Sequence, residues 1–502
     1  MRGRNRNWNG GEGICTVCSN SDDGVLWRAQ ITCMYVAQPR DKITHQSSNG
    51  RVSPSTMLHS IPPEILAEIF TETLPVGQDI PISSHAGPML LSQVSRSWRN
   101  TAISLSSLWS SLAIELGERT HPHRILLLLL WLQRSSSQQL SLTVSMHIFG
   151  STLNSETSKI VKSILIVLSE HSHRWKRLSL DLPGSNHIFS DLCASNAPNL
   201  QRLSFRLGNW SADESWDINN LIKCAPAVRE LVWSSRSSCT SWDAPHDSGV
   251  LDLQLLWHNL SDVTLDTSIT LKTALDVLHQ CHRIVKFNLR HFSDSPELHE
   301  DTREQYSTQH PFHLACLETL SIYQLTLDDG FPALLDRLTC PNLRHFAFAC
   351  GFLEVASWPQ SSFHNLLARS GSRLHSLCLE FTGISEDQLI QSLEQSSSSL
   401  TRLEVYDARG DICVGDTLLD ALRVSSSPFG ETRVLCPRLD TLRLHHVVEC
   451  ADGALATTFR SRMLHSSTNN FTPIRTADVH FSKRYHATNR SDISYLRESY
   501  SN

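Results

Sequence analysis

The chain is rich in groups that could bind a metal or move a proton, with 14 cysteines and 25 histidines in 502 residues, yet few are spaced for it. Cys15-Thr-Val-Cys18, followed by Cys33 and His45, supplies four ligand types for a closed tetrahedral zinc site. A second tight pair is missing, because Cys33 and His45 stand twelve residues apart, so the four read as separate groups on a tail. His279 and His282, three apart around Cys281, would share one helix face and read as a polar helix edge. His121 and His123 precede an apolar run as a solvated helix start, and His445-His446 is an adjacent pair in a histidine population that is otherwise dispersed. There is no glycine-rich phosphate cradle, no Gly-x-Ser-x-Gly elbow and no His-Glu-x-x-His helix. The expectation is a protein that is not an enzyme, with no catalytic residues, no metal and no cofactor.

Bulk properties point the same way. The net charge is −6 with a sequence pI near 6.5, and no block of Lys and Arg supplies the footprint that phosphate binding requires, so nucleic acid is not an expected partner. Arg2, Arg4 and Arg6 are not followed by an apolar segment of the secretory kind, and the longest apolar run, Ile125 to Leu132, is too short to span a bilayer. With no membrane expected and the cysteines read as reduced, the chain is expected inside the cell, in cytoplasm or nucleus. Length alone calls for more than one domain or for an extended array.

The elements that organise the chain begin at Ser60. Ser60 is expected to cap a helix with Pro62 and Pro63 in its first turn and Glu64 near the positive end, carrying an apolar stripe of Ile61, Ile65, Leu66, Ile69 and Phe70. A second helix is expected to carry Leu91, Val94, Trp98 and Ala102, and a short third element Leu105, Leu108 and Trp109. Three helices this short carry more apolar surface than they can bury among themselves, so part of the stripe is expected to face a partner.

The ordered combination Ile61-Pro62-Pro63-Glu64-Ile65-Leu66, then Val94-Ser95-Arg96-Ser97-Trp98-Arg99, then Leu108-Trp109 resembles the F-box, in particular the F-box-like proteins of mushroom-forming fungi. It covers about a tenth of the chain and departs from a compact F-box in the long connection from Thr73 to Pro88. The resemblance implies docking on a Skp-family adaptor, and through it on a cullin-RING ubiquitin ligase, through Ile61, Pro62, Glu64, Ile65, Leu66, Ile69, Val94 and Trp98.

After Gln138, where Leu140, Leu142 and Val144 alternate as in a strand, a pattern of apolar, two variable, apolar, one variable, apolar recurs. It appears ten times, from Trp175-Leu178-Leu180 and Leu200-Leu203-Phe205 to Leu400-Leu403-Val405 and Leu439-Leu442-Leu444, with starts 24 to 39 residues apart; Ile474-Ala477-Val479 is a worn eleventh. Helical stretches with their own punctuation lie between, such as the capping box Ser385-Glu-Asp-Gln388 and the start at Asp217 before Ile218, Leu221 and Ile222. Cys224, Cys340 and Cys436 read as small buried hydrophobes at equivalent places. The array resembles irregular leucine-rich repeats of the kind that follow F-boxes, although the usual Asn after the third apolar position is mostly absent.

The expected fold is therefore α/β: residues 1–55 disordered, a three-helix F-box-like bundle over 56–116, a leucine-rich-repeat solenoid with a parallel sheet on its concave face over 117–482, and a disordered tail over 483–502. The charged spacer from Asp294 to His310 is expected as an exposed loop. Residues between the apolar strand positions would line the concave face. Among them Arg206, Asp266, Arg290, Tyr323, Glu380, Glu404, Tyr406, Arg443 and His445 form a mixed-charge strip, and Arg290, Tyr323, Glu380, Tyr406, Arg443 and His445 are the expected contacts to a protein target. The resemblance implies a substrate-recognition subunit of an SCF-type ligase. The alternative is a non-catalytic repeat scaffold whose helical cap merely closes the array.

Overall fold

The structure is a computed structural model that describes residues 61–75, 77, 79–117, 120–146, 155–182, 196–207, 212–235, 256–292, 311–324, 330–351, 358–407, 413–426, 432–464, 471–481 and 489–500. The Cys15, Cys18, Cys33 and His45 set, the Ser60 cap and the spacer from Asp294 to His310 lie outside them. The chain divides into two compact units, one comprising the residues up to Glu115 with His123–Thr143, the other Leu116–Pro122 with Val144 onward.

In the first unit, helix α1 runs Pro63–Glu72, and Pro62 occupies its N-cap position, two residues later than the expected cap at Ser60 and without a side-chain cap. The expected long second helix is two helices, α2 (Gly87–Val94) and α3 (Arg96–Ser104). The break falls at Ser95, whose extended backbone lets its hydroxyl accept the Trp98 N–H at 3.1 Å. A serine at this point caps a new helix better than it continues an old one. A 3₁₀ turn, Ser106–Trp109, then buries Leu108 and Trp109.

Strand β1 (Ser111–Leu116) follows, an element the sequence reading missed, then α4 (His123–Arg134) and β2 (Leu140–Met146). The Trp109 indole donates to the Ala102 carbonyl at 2.8 Å and stands edge-on to Trp131 of α4, with the Arg134 guanidinium over its ring. The core of the helical unit is thus completed beyond residue 116. The long connection from Thr73 is stitched down: Ile80 and Ile82 are buried, Ala113 exchanges backbone hydrogen bonds with both, and Asp79 accepts from Ser111 and Thr143 at 2.6 Å each.

The second unit is built from strand-and-helix repeats. Its strands are β3 (Trp175–Leu182), β4 (Arg202–Leu207), β5 (Glu230–Ser235), β6 (Asp262–Ile269), β7 (Lys286–Phe292), β8 (Thr319–Gln324), β9 (His345–Cys350), β10 (Ser376–Glu380), β11 (Arg402–Tyr406), β12 (Thr441–His445) and β13 (Thr476–His480). They pair in sequence order, every pair parallel. The helices are α5 (Ser155–Ser169), α6 (Ala212–Lys223), α7 (Leu271–Gln280), α8 (Gly330–Arg337), α9 (Gln360–Ser370), α10 (Glu386–Ser396), α11 (Asp416–Leu422), α12 (Ala454–Leu464) and α13 (Arg490–Tyr500). From α7 to α13 each helix packs on the next, so helices form one layer and strands the other.

The ten sequence triads, and the worn eleventh, fall into register. The second apolar residues form one continuous cross-strand row, Leu178, Leu203, Leu231, Val263, Phe287, Leu320, Phe346, Leu377, Leu403, Leu442 and Ala477. The third residues form a parallel row from Leu180 to Val479. Period-two alternation sends both rows to the same face, where all but the last strand's pair are buried.

Before many strands a tight turn closes onto the first apolar residue, whose N–H donates to the carbonyl three residues back, as at Ile284 to Cys281, Leu343 to Cys340 and Leu439 to Cys436. The equivalent place in β5's repeat is Ala225, not the expected Cys224, which is half-buried; Cys281 is the cysteine that takes the position.

Two corrections concern ends. α6 begins at Ala212, five residues before Asp217. The tail expected to be disordered contains α13, whose Asp492 is fully buried and accepts from the Gly453 and Ala456 N–H groups at the start of α12. A carboxylate against free amides at the positive end of a helix is favourable, which ties α13 to the array. The same device recurs one repeat earlier, where Glu386 accepts from Gly415 and Leu418 at the start of α11.

Arg462 of α12 is buried and, among the described residues, has no carboxylate partner. Its guanidinium donates to the carbonyls of Leu422, Leu435, Cys436, Pro437, Leu439 and Thr472 at 2.8–3.4 Å, and burial lowers its pKa to about 10. One side chain thereby satisfies five carbonyls between α11 and β12 and one just before β13.

Candidate functional site

Two surfaces have residue types and placement suited to recognition. The first lies on the helical unit. α1 is amphipathic, but only Leu66 and Phe70 of its stripe face inward, at 1% and 0% exposed. Ile65 and Ile69 are 48% and 42% exposed, an i, i+4 pair on the outer flank.

α2 repeats the arrangement, with Leu90 46% and Val94 54% exposed. Pro62 and Glu64 are exposed, Ile61 is half-buried, and Trp98 is half-buried with its ring centroid 5.0 Å from that of Phe70. Of the eight residues read as adaptor contacts, Leu66 is therefore a core residue. Leu90, which carried no signal of its own, is on the outside. Leu126 and Leu129 of α4 are also exposed.

The second surface is the polar face of the sheet, which thickens in charge toward its last strands. Two register rows cross it there: Cys378, Glu404, Arg443 and Asp478, and two residues along, Glu380, Tyr406, His445 and His480. Arg443 Nη1 lies 2.8 Å from Glu404 Oε1, and the Tyr406 hydroxyl donates to Glu404 Oε2 at 3.0 Å. Glu404, expected as a solvent-facing strip residue, is nearly fully buried, its two oxygens held by these partners. A pair this enclosed contributes little net stability because desolvation offsets the attraction; its effect is to fix Arg443 and Tyr406 in place.

Burial, and then the nearby charge of Asp407, push the Glu380 carboxyl up to about 7. The Tyr406 ring lies 5.0 Å from that of His445. His445 and His480 each place Nε2 on Asp478 Oδ1, at 3.3 and 3.0 Å, with ring centroids 4.2 Å apart.

A smaller cluster lies mid-sheet. Asp266 accepts from His291 at 3.2 Å and has Arg290 at 3.9 Å. Burial opposes the Asp266 charge, but the His291 hydrogen bond and the Arg290 charge outweigh it and hold the carboxyl below its ordinary value. His291 sits at φ +66 where the β7–β8 register shifts, and its ring meets that of Tyr323 edge-on at 5.9 Å. Arg206 of β4 is exposed.

The strip residues named from sequence are thus divided: Glu380, Tyr406, Arg443 and His445 come together, Arg290 and Tyr323 flank a bulge, and Arg206 stands apart. Asp407, Asp478, His480 and His291 were missed. The signal for Asp478 and His480 was present, since they occupy in the eleventh triad the places of Arg443 and His445 in the tenth.

His279 and His282 are 6.4 Å apart by ring centroid, and Cys281 between them is buried, its thiol pushed up to about 12 by desolvation. Desolvation holds the thiols of Cys340 and Cys436 at about 12 also, and raises that of Cys378 well above its ordinary value. None of these four is poised as a thiolate nucleophile. No described helix is long and apolar enough to cross a membrane.

No family model and no curated protein matches the chain. Among solved structures it is similar to a chain in the crystal structure of a Rad7 and Elc1 complex in yeast, at 13% identity over 73% of this chain and 81% of that one, with a TM-score of 0.37.

Proposed function

We propose that the chain is a substrate-recognition subunit without catalytic residues. The helical unit docks on a Skp-family adaptor of a cullin-RING ubiquitin ligase, and the polar sheet face of the repeat unit holds a protein target. The observation that carries the reading is the pair of outward i, i+4 apolar couples, Ile65 with Ile69 and Leu90 with Val94, on helices whose inner faces are already satisfied by their own core. Their place within the Ile-Pro-Pro-Glu and Val-Ser-Arg-Ser-Trp pattern supports the same reading. The mechanism is positioning: the ligase modifies lysines that the repeat unit brings within reach, and the gain is effective concentration.

The test is co-expression with a fungal Skp-family adaptor, purification through the adaptor, and sizing with light scattering. A one-to-one complex is expected. The Ile65→Ala, Val94→Ala double variant, altered only at exposed positions, should weaken it by about 10² to 10⁴-fold if each side chain contributes about 1.5–3 kcal/mol on burial. A folded, monomeric chain that makes no complex would overturn the reading in favour of a plain repeat scaffold.

A further inference from the structure

The last two strands place three metal-ligating groups at one point. His445 ends β12, while Asp478 and His480 are i and i+2 on β13 and so point to one face; His445 and His480 are direct register partners. The ligating atoms of all three lie within 4.8 Å of one another.

We propose that His445, Asp478 and His480 form a binding site for a divalent transition cation, zinc by its donor set, with one coordination position left open. Four-coordinate zinc with bonds of about 2.0–2.1 Å requires donor atoms about 3.3 Å apart. The two His-to-Asp edges are already 3.3 and 3.0 Å. Two imidazoles and a carboxylate match zinc's borderline preference and leave the fourth vertex for water or an incoming group.

The backbone holds this geometry independently of the side chains. His446, next along from His445, adopts φ +61, a left-handed conformation uncommon outside glycine. That turn aims its N–H at the His480 carbonyl, which accepts at 2.6 Å. The contact locks the ends of β12 and β13 side by side. The Tyr406 ring packs against His445 from the other side.

Among the described residues, one group opposes a cation. Arg443 is the register neighbour of Asp478, but its Nη1 is drawn to Glu404 on the preceding strand, where its charge is balanced. His480 is half exposed, so the site is open to metal from solution. Bound metal would cross-link the edge strand β13 to β12, fastening the end of the sheet whose apolar residues are least covered.

The test uses the full chain, stripped with a chelator and titrated with zinc by calorimetry and with cobalt by visible absorption. Wild type should bind one more ion than His480→Gln, with a cobalt spectrum of nitrogen and oxygen ligation lacking thiolate charge transfer. The last criterion separates this site from any cysteine site elsewhere in the chain. Asp478→Asn should weaken the same ion by at least about 100-fold, the upper range for second-shell losses at metal sites. Zinc should raise the melting temperature of wild type but not of His480→Gln. Equal stoichiometry and affinity in wild type and both variants, each folded by circular dichroism, would overturn the assignment.

Discussion

Replacing Glu380 with glutamine isolates one half-buried carboxyl. In the folded chain its pKa is raised from 4.5 to about 7, by burial first and by Asp407 second. The unfolded chain releases this proton near the ordinary value. Between the two values the folded state therefore holds a proton that the unfolded state has lost, and stability falls as pH rises.

The slope is about 1.4 kcal/mol per pH unit at most, so the full window represents roughly 3 kcal/mol; partial exposure of the side chain brings the expectation to about 2 kcal/mol. Below the window both states are protonated, and above about pH 7 both are ionised and the penalty is constant.

An amide keeps the shape and does not titrate. The stability of Glu380→Gln minus that of wild type should accordingly climb between about pH 5 and pH 7 and level off above it. Urea unfolding followed by tryptophan fluorescence across that range measures the difference directly. A difference that stays constant with pH would refute the reasoning, because it would mean that Glu380 ionises as freely in the sheet as in the unfolded chain.

Three further substitutions test the packing. Arg462→Met removes the shared donor of six carbonyls while keeping much of the volume, and should cost about 3–5 kcal/mol by denaturant unfolding; a loss under about 1 kcal/mol would mean that those carbonyls find other partners. Leu66→Ala and Ile65→Ala are neighbours on one helix with opposite expectations: the first should destabilise by about 2–5 kcal/mol, the second by less than about 1 kcal/mol, and thermal melts that rank them the other way would show that α1 is rotated on its core.

The repeat frame was legible because its signal is redundant. A single Leu-x-x-Leu-x-Leu is weak, but ten copies that all enter the same two register rows constrain one another. Local punctuation was legible where the side chain does the work, as at the Ser385–Gln388 capping box, which forms with both of its hydrogen bonds.

What failed to show was anything decided by the third dimension. A stripe at i, i+4 and i+5 marks a helix face but not its midline, so Ile65 and Leu66 could not be separated. The break at Ser95 required weighing a cap against continuation of an equally apolar pattern. The polar sequence of α13 predicts a disordered tail. Its order rests on Asp492 and Tyr495 meeting α12, partners that no local window contains. The histidine and carboxylate cluster is half legible, since the regular tenth triad marks His445 while the weak apolar pattern of the eleventh leaves the places of Asp478 and His480 unmarked.

The repeats begin 24 to 39 residues apart, yet every strand enters the same register. The frame therefore ignores the length of what connects one strand to the next. Insertions and deletions in those connections can accumulate over evolutionary time without a change of phase, whereas a single residue added inside a strand would exchange its buried and polar faces. Such a chain can vary what it presents around the sheet while its scaffold descends unaltered, and the same tolerance marks the connections as places where an engineer could graft a new binding loop.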